Sequence, residues 1–362
     1  MNFTVDRYSF STESKLRYFL HKDLVENQPL ARKVVRLFGG VSIQDIENEC
    51  AHLSQLCHPG RECTNVVEVF GHGWLDTDRS WYYIDMELCS ETLADRIGGQ
   101  APDHGNLAPQ HGGIVQSALM HGTLETSSVK SPPADPKASF ANKQDKTEGH
   151  IDWTSLFKII EDVSKGLAYI HKKGTVHRDL KPHNSITFYM HALTTVLFSS
   201  VHNCWKIGDF GTASSATSKQ LHTTRYSRGT AGYRAPELLD SGNPRFNNKA
   251  DIFALGCIIY EVLTGTKLFL DDFKINSFAS TGKLPRPIIW PTADSLGVSG
   301  RLDSLERLVS KMLEIEPRNR PSVTEIQNEL AAMKRADPAN CYFENPGIPI
   351  QVRIITPSPR QP

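Results

Sequence analysis

Eight consecutive residues, His177 to Asn184 (HRDLKPHN), constrain this 362-residue chain more than any other stretch. They place a carboxylate able to act as a base, Asp179, a few positions before an amide able to hold a metal ion, Asn184. A base and a metal ligand on one loop point to phosphoryl transfer, which needs an oriented acceptor hydroxyl and neutralised charge. Two further blocks follow in order, Asp209-Phe210-Gly211 and then Gly229 to Glu237 (GTAGYRAPE). Asp209-Phe210-Gly211 alone reads equally well as a turn before a loop, but a turn does not explain all three blocks in this order.

The composition bounds what can surround that loop. Hydrophobic residues make up 39% of the chain, enough for a core, so disorder throughout is excluded. Forty basic residues balance forty acidic ones, which gives no bulk attraction to nucleic acid or to an anionic membrane; neither is expected as a partner. The seven cysteines are odd in number and scattered, and no secretory pattern precedes them. A reducing, intracellular setting is expected, cytoplasmic or nuclear. The longest apolar runs, near Ile186 to Phe198 and Ile252 to Leu263, fall short of the ~20 residues of a membrane helix. Cys50, Cys57 and Cys63 with His52 and His58 invite a zinc reading, but their spacing fits no common closed site.

Residues 98 to 150 hold seven Gly, five Pro and one aromatic, Phe140, too little apolar surface to offset the entropy of ordering them. They are expected to be a disordered insertion. Before residue 90, short β-like runs alternate with one helical pattern over Ile46 to Leu56. After residue 150, helical spacing dominates: Trp153 to His171, Lys249 to Leu263, Leu302 to Leu313 and Val323 to Met333. A small sheet-rich part therefore precedes a helical one. From Ala336 the chain carries six prolines and reads as a flexible tail.

HRDLKPHN, DFG and GTAGYRAPE together resemble the eukaryotic protein kinase family, over nearly the whole chain, and Lys181 and Thr230 resemble its serine/threonine type. The resemblance implies an α+β, bilobal fold, with a β-rich N-lobe over residues 1–88 and an α-helical C-lobe over 89–335. It implies ATP and Mg2+ as ligands and a protein bearing Ser or Thr as substrate. By that resemblance Asp179 would accept the hydroxyl proton, Lys181 would reach the transferring phosphate, and Asn184 and Asp209 would bind metal. Lys33, in LARKV, would grip the phosphates with Glu49 as its partner, Glu47 being a rival that spacing does not exclude. Tyr82 to Cys89 would be the fifth strand and hinge, with Met86 as gatekeeper and Glu87 to Cys89 offering backbone to adenine. Asp251 would hold the catalytic loop, Arg320 would pair with Glu237, and Arg178 would bind a phosphate on Thr223, Thr224 or Ser227.

Two departures accompany this resemblance. Residues 1 to 38 contain no glycine, where the family has a glycine-rich loop ahead of its lysine strand. Thr4 to Arg7 would be the second strand, so that the first strand and the loop are missing. Ser185 to Thr195 also stand between Asn184 and the apolar strand Val196-Leu197-Phe198, into which the family runs directly. A catalytically impaired, kinase-like scaffold, or a truncated gene product, is the alternative reading. Substrate identity, pathway and oligomeric state have no motif in the sequence.

Overall fold

Runs rich in aromatic and β-branched residues build the first sheet. The structure, a computed structural model, describes residues 16–22, 29–37, 43–58, 60–98, 153–182, 195–215, 222–223, 229–239, 245–285 and 299–335. Strands β1 (Leu16–Lys22), β2 (Pro29–Arg36), β3 (Val69–Trp74) and β4 (Trp81–Glu87) form an antiparallel sheet in the order β1-β2-β4-β3. The register sets Lys33 opposite Ile84 and Ala31 opposite Met86. Helix α1 (Ile43–Leu56) turns Ile46, Glu49, Leu53 and Leu56 inward, one stripe of a 3.6-residue period. The strand hydrogen-bonded to the lysine strand on this side is Leu16–Lys22; Thr4 to Arg7, expected as the second strand, lie outside the described residues.

Beyond the sheet, β5 (Glu91–Thr92) leads into α2 (Leu93–Ile97), whose first turn is closed by a capping box between Thr92 and Asp95. Helix α3 (Trp153–Lys172) is followed by β6 (Thr175–Val176) and by the hairpin of β7 (Val196–Ser199) and β8 (Cys204–Ile207). Strand β5 pairs with β7, and β6 pairs with β9 (Ser214–Ser215). A further short pair joins β10 (His222–Thr223) to β11 (Arg245–Phe246).

Helix α4 (Lys249–Thr264) is buried on every side from Ala250 to Val262, as an apolar helix at the centre of a domain must be. Gly265, in the left-handed region at φ 65°, ends it. Helices α5 (Asp272–Thr281), α6 (Ser299–Met312) and α7 (Val323–Arg335) complete the fold, and a Cβ on Gly256 would stand 3.0 Å from Met312 Cβ, so α4 and α6 meet closely there. The fold is mixed α+β. The four long helices expected from periodicity appear within a few residues of their expected bounds. Residues 99–150 of the expected insertion, and the tail from Ala336, lie outside the described residues.

Candidate active site

Two backbone amides and one imidazole converge on one carboxylate. Asp251, fully buried at the start of α4, accepts the amides of His177 at 2.9 Å and Arg178 at 2.8 Å and lies 2.8 Å from His171 Nε2. Burial alone would push its carboxyl up, but His171 and the surrounding donors outweigh that and hold it below its ordinary value. The amide of Asp179 donates to His177 Nδ1 at 3.3 Å, so Nε2 carries the ring proton and donates to the Gly208 carbonyl at 2.9 Å. Arg178 sits at φ 67° and Asp209 at φ 59°, left-handed conformations costly for residues with a Cβ and typical of functional loops.

That scaffold brings Asp179, Lys181 and Thr230 into a triangle. Lys181 Nζ donates to Asp179 Oδ2 at 2.8 Å and to Thr230 Oγ1 at 2.7 Å, and the Thr230 hydroxyl donates to Asp179 Oδ1 at 2.6 Å. Gly229, next to Thr230, has φ 104°, and a Cβ there would stand 2.5 Å from the Arg178 carbonyl; only glycine permits this approach.

A second cluster lies between the sheet and the DFG segment. Lys33 Nζ lies 2.7 Å from Glu49 Oε1 and 2.7 Å from Asp209 Oδ1, all three side chains largely buried. Burial would raise the Asp209 carboxyl, yet Lys33 beside it prevails and keeps it below the ordinary carboxylate value. Glu47 is exposed, two residues and some 200° of helix away, so the choice left open by spacing falls to Glu49. A buried, ionised Asp209 beside a lysine that Glu49 holds is suited to a divalent cation and a phosphate chain.

Met86 and Glu87, expected as gatekeeper and hinge, end β4, and Cys89 lies two residues beyond it. The Glu87 side chain, however, turns away into a buried polar cluster. Burial pushes the Cys89 thiol up to about 12, so it stays protonated at neutral pH. Arg320 makes a fork on Glu237, with NH1 to Oε1 and NH2 to Oε2 both at 2.7 Å, and its remaining donors reach the carbonyls of Lys249, Glu314 and Ile315. The Arg178 guanidinium donates to the carbonyls of Thr212 and Ala213 and lies 4.9 Å from the centroid of the Phe246 ring.

Asn184 lies outside the described residues, and the position leading into β7 is held by Thr195. Its hydroxyl accepts from the Lys181 amide at 2.7 Å and donates to the Lys181 carbonyl at 3.0 Å, while its own carbonyl accepts from Gly208 N at 3.0 Å. Thr195, read from sequence as surplus, is therefore part of the fold. Its signal was available: a threonine immediately ahead of the apolar run Val196-Leu197-Phe198. Lys206 was missed as well, although a lysine inside Cys204-Trp205-Lys206-Ile207, a run buried at every position, marks a buried charge.

A protein kinase domain model matches residues 136–330, more than half of the chain. The chain belongs to the protein kinase family. This kinase chain is 30% identical over 212 residues to the serine/threonine-protein kinase/endoribonuclease IRE1b of Arabidopsis thaliana, covering 56% of itself and 20% of that protein. It is 24% identical over 317 residues to IRE1a of the same plant, covering 84% of itself and 32% of the relative. The serine/threonine-protein kinase PknB of Mycobacterium tuberculosis is 29% identical to it over 196 residues, 53% of this chain and 28% of the relative. The kinase chain thus spans about a fifth to a third of the length of these curated relatives.

Proposed function

We propose that this chain is a serine/threonine protein kinase that moves the γ-phosphoryl group of ATP to a protein hydroxyl. The observation that carries this reading is the pair of clusters described above: Asp179 with Lys181 and Thr230, and Lys33 between Glu49 and Asp209. In this reading Asp179 takes the proton of the acceptor hydroxyl as its oxygen bonds to phosphorus, and the bond to the β–γ bridging oxygen breaks to release ADP. Lys181 meets the charge on the moving phosphoryl group, and Lys33, fixed by Glu49, holds the phosphates that stay behind. Mg2+, when bound, supplies charge neutralisation there, with Asp209 as one ligand and Asn184 proposed as another. The backbone from Glu87 to Cys89, behind the gatekeeper Met86, would hold adenine.

The same reading divides the chain into an N-lobe (1–88), a C-lobe (89–335) with an insertion at 98–150, and a tail (336–362). No helix among the described residues is long and apolar enough to cross a membrane. Cytoplasm or nucleus remains the proposed location. A second reading, an impaired kinase-like scaffold, is motivated by the glycine-free stretch from residue 1 to 38.

The deciding experiment incubates the purified chain with MgATP and a generic protein substrate, beside Asp179→Asn, and identifies the phosphorylated residue. Phosphoserine or phosphothreonine is expected, with turnover at least ~100-fold lower in the variant. Equal incorporation by both proteins would overturn the catalytic reading, and none by either would favour the scaffold.

A further inference from the structure

Behind the hinge lies a polar cluster that the phosphoryl-transfer reading leaves unused. Lys206, on β8, has no solvent exposure, and its Nζ stands 2.6 Å from Glu87 Oε1. The same oxygen accepts the Glu68 amide at 2.7 Å and lies 3.5 Å from Arg61 NH2, while Arg61 NH1 pairs with Glu68 at 3.0 Å. Glu87 Oε2 faces Ser199 Oγ at 3.4 Å and His202 Nδ1 at 3.5 Å, both from the β7–β8 hairpin. A buried ammonium is tolerated only when a counter-charge and hydrogen bonds replace its water, and Glu87 supplies the counter-charge.

The placement of this pair is what gives it a consequence. Glu87 is the last residue of β4, between Met86 and Cys89, while Lys206 is three positions ahead of Asp209 on the strand that delivers it. One ion pair therefore ties the segment proposed to hold adenine to the strand bearing the carboxylate proposed to hold metal at the phosphates. Backbone hydrogen bonds run alongside, from Ser90 N to Phe198 O at 2.8 Å and from Val67 N to Ile207 O at 2.9 Å. Pulling the hinge away from β8 would separate two buried opposite charges, which low-dielectric surroundings resist strongly.

We propose that the Glu87–Lys206 pair, with Arg61 beside it, is a positioning device that fixes the hinge against the Asp209 strand and so sets how tightly an adenine nucleotide is held. The proposal rests on the kinase reading for its ligand but not for its mechanics. Neither side chain touches the reacting atoms; both act through the hinge backbone.

The test compares wild type, Lys206→Met and the double variant Glu87→Gln/Lys206→Met. Three quantities are measured: melting temperature, amide hydrogen exchange without nucleotide, and Mg-ADP affinity by calorimetry. Lys206→Met leaves Glu87 buried without its main partner and is expected to lose stability; the double variant removes both charges and should recover most of it. In both variants, exchange at residues 85–90 should quicken about tenfold relative to α4, and Mg-ADP should bind about tenfold more weakly. A purely structural pair predicts instead a double variant with wild-type hinge exchange and wild-type affinity once stability is restored, and that outcome overturns the proposal. Should Lys206→Met not fold, the double variant carries the comparison. A wild type that binds no Mg-ADP would count against the kinase reading, while the exchange result still decides the proposal.

Discussion

Thr195 is joined to Lys181 by two hydrogen bonds, one from the amide at 2.7 Å and one to the carbonyl at 3.0 Å. Thr195 has no exposed surface. Replacing it with valine keeps the shape but strips a buried amide of its acceptor, a loss of about 1–3 kcal/mol. Thr195→Val should therefore lower the unfolding free energy in urea by that amount, and Thr195→Ser should retain most of it. Matching denaturation curves for wild type and Thr195→Val would contradict this role.

Arg320 and Glu237 test how far the C-terminal helices depend on one buried fork. Arg320→Met leaves Glu237 facing an apolar wall, which should cost about 3–5 kcal/mol. Arg320→Lys should rescue little, because a single ammonium cannot reproduce two parallel bonds together with three carbonyl contacts. Thermal melts of the two variants check both statements.

Stability should depend on pH in a defined sense. Asp209 and Asp251 both titrate below their ordinary value of 3.8 in the folded protein, so their contribution is fully present above that value and is lost as pH falls through the folded values. Burial pushes Glu261 the other way, but it is one group against two. Urea unfolding should give a plateau from about pH 7 to 5 and a decline below about 4 that is shallower in Asp251→Asn. An unfolding free energy that climbs between pH 5 and 3 would be inconsistent with these ionised carboxylates.

Of the three hydroxyls that the sequence offers between Gly211 and Gly229, Thr224 and Ser227 lie outside the described residues, and Thr223 lies opposite Arg245 in the β10–β11 pair. Its neighbour His222 lies opposite Phe246, over which the Arg178 guanidinium rests. A phosphate on Thr223 would add roughly −1.5 to −2 charges on the strand paired with the one that carries Arg245. Mass spectrometry of active protein should find Thr223 modified, and Thr223→Ala or Arg245→Ala should reduce activity. Full activity in Thr223→Ala would remove it from regulation.

Much of the candidate site could be proposed from the sequence because its parts are contiguous. HRDLKP, DFG and GTAGYRAPE carry their spacing in the covalent chain, and the apolar periods of α3, α4, α6 and α7 announce helices wherever they occur. Asp179, Lys181 and Asp209 could be named for the same reason, and Lys33, Asp251 and Arg320 from the resemblance of their own segments to the family. Asn184 could be named too, but it lies outside the described residues.

Tertiary structure decided what depends on direction and on distant partners. Glu49 and Glu47 are equivalent in composition, and only the rotation of α1 against the sheet sends one to Lys33 and the other to solvent. The sequence reading named Thr4 to Arg7 as the second strand and did not single out Leu16–Lys22, which pairing register, a long-range property, sets beside β2. Thr195 and Lys181 stand fourteen positions apart in sequence, and Glu87 and Lys206 stand 119 apart. A local pattern shows that Lys206 is buried in an apolar strand. That its charge is answered by Glu87 follows only from the packing that brings the two together away from water, where a buried charge needs a counter-charge.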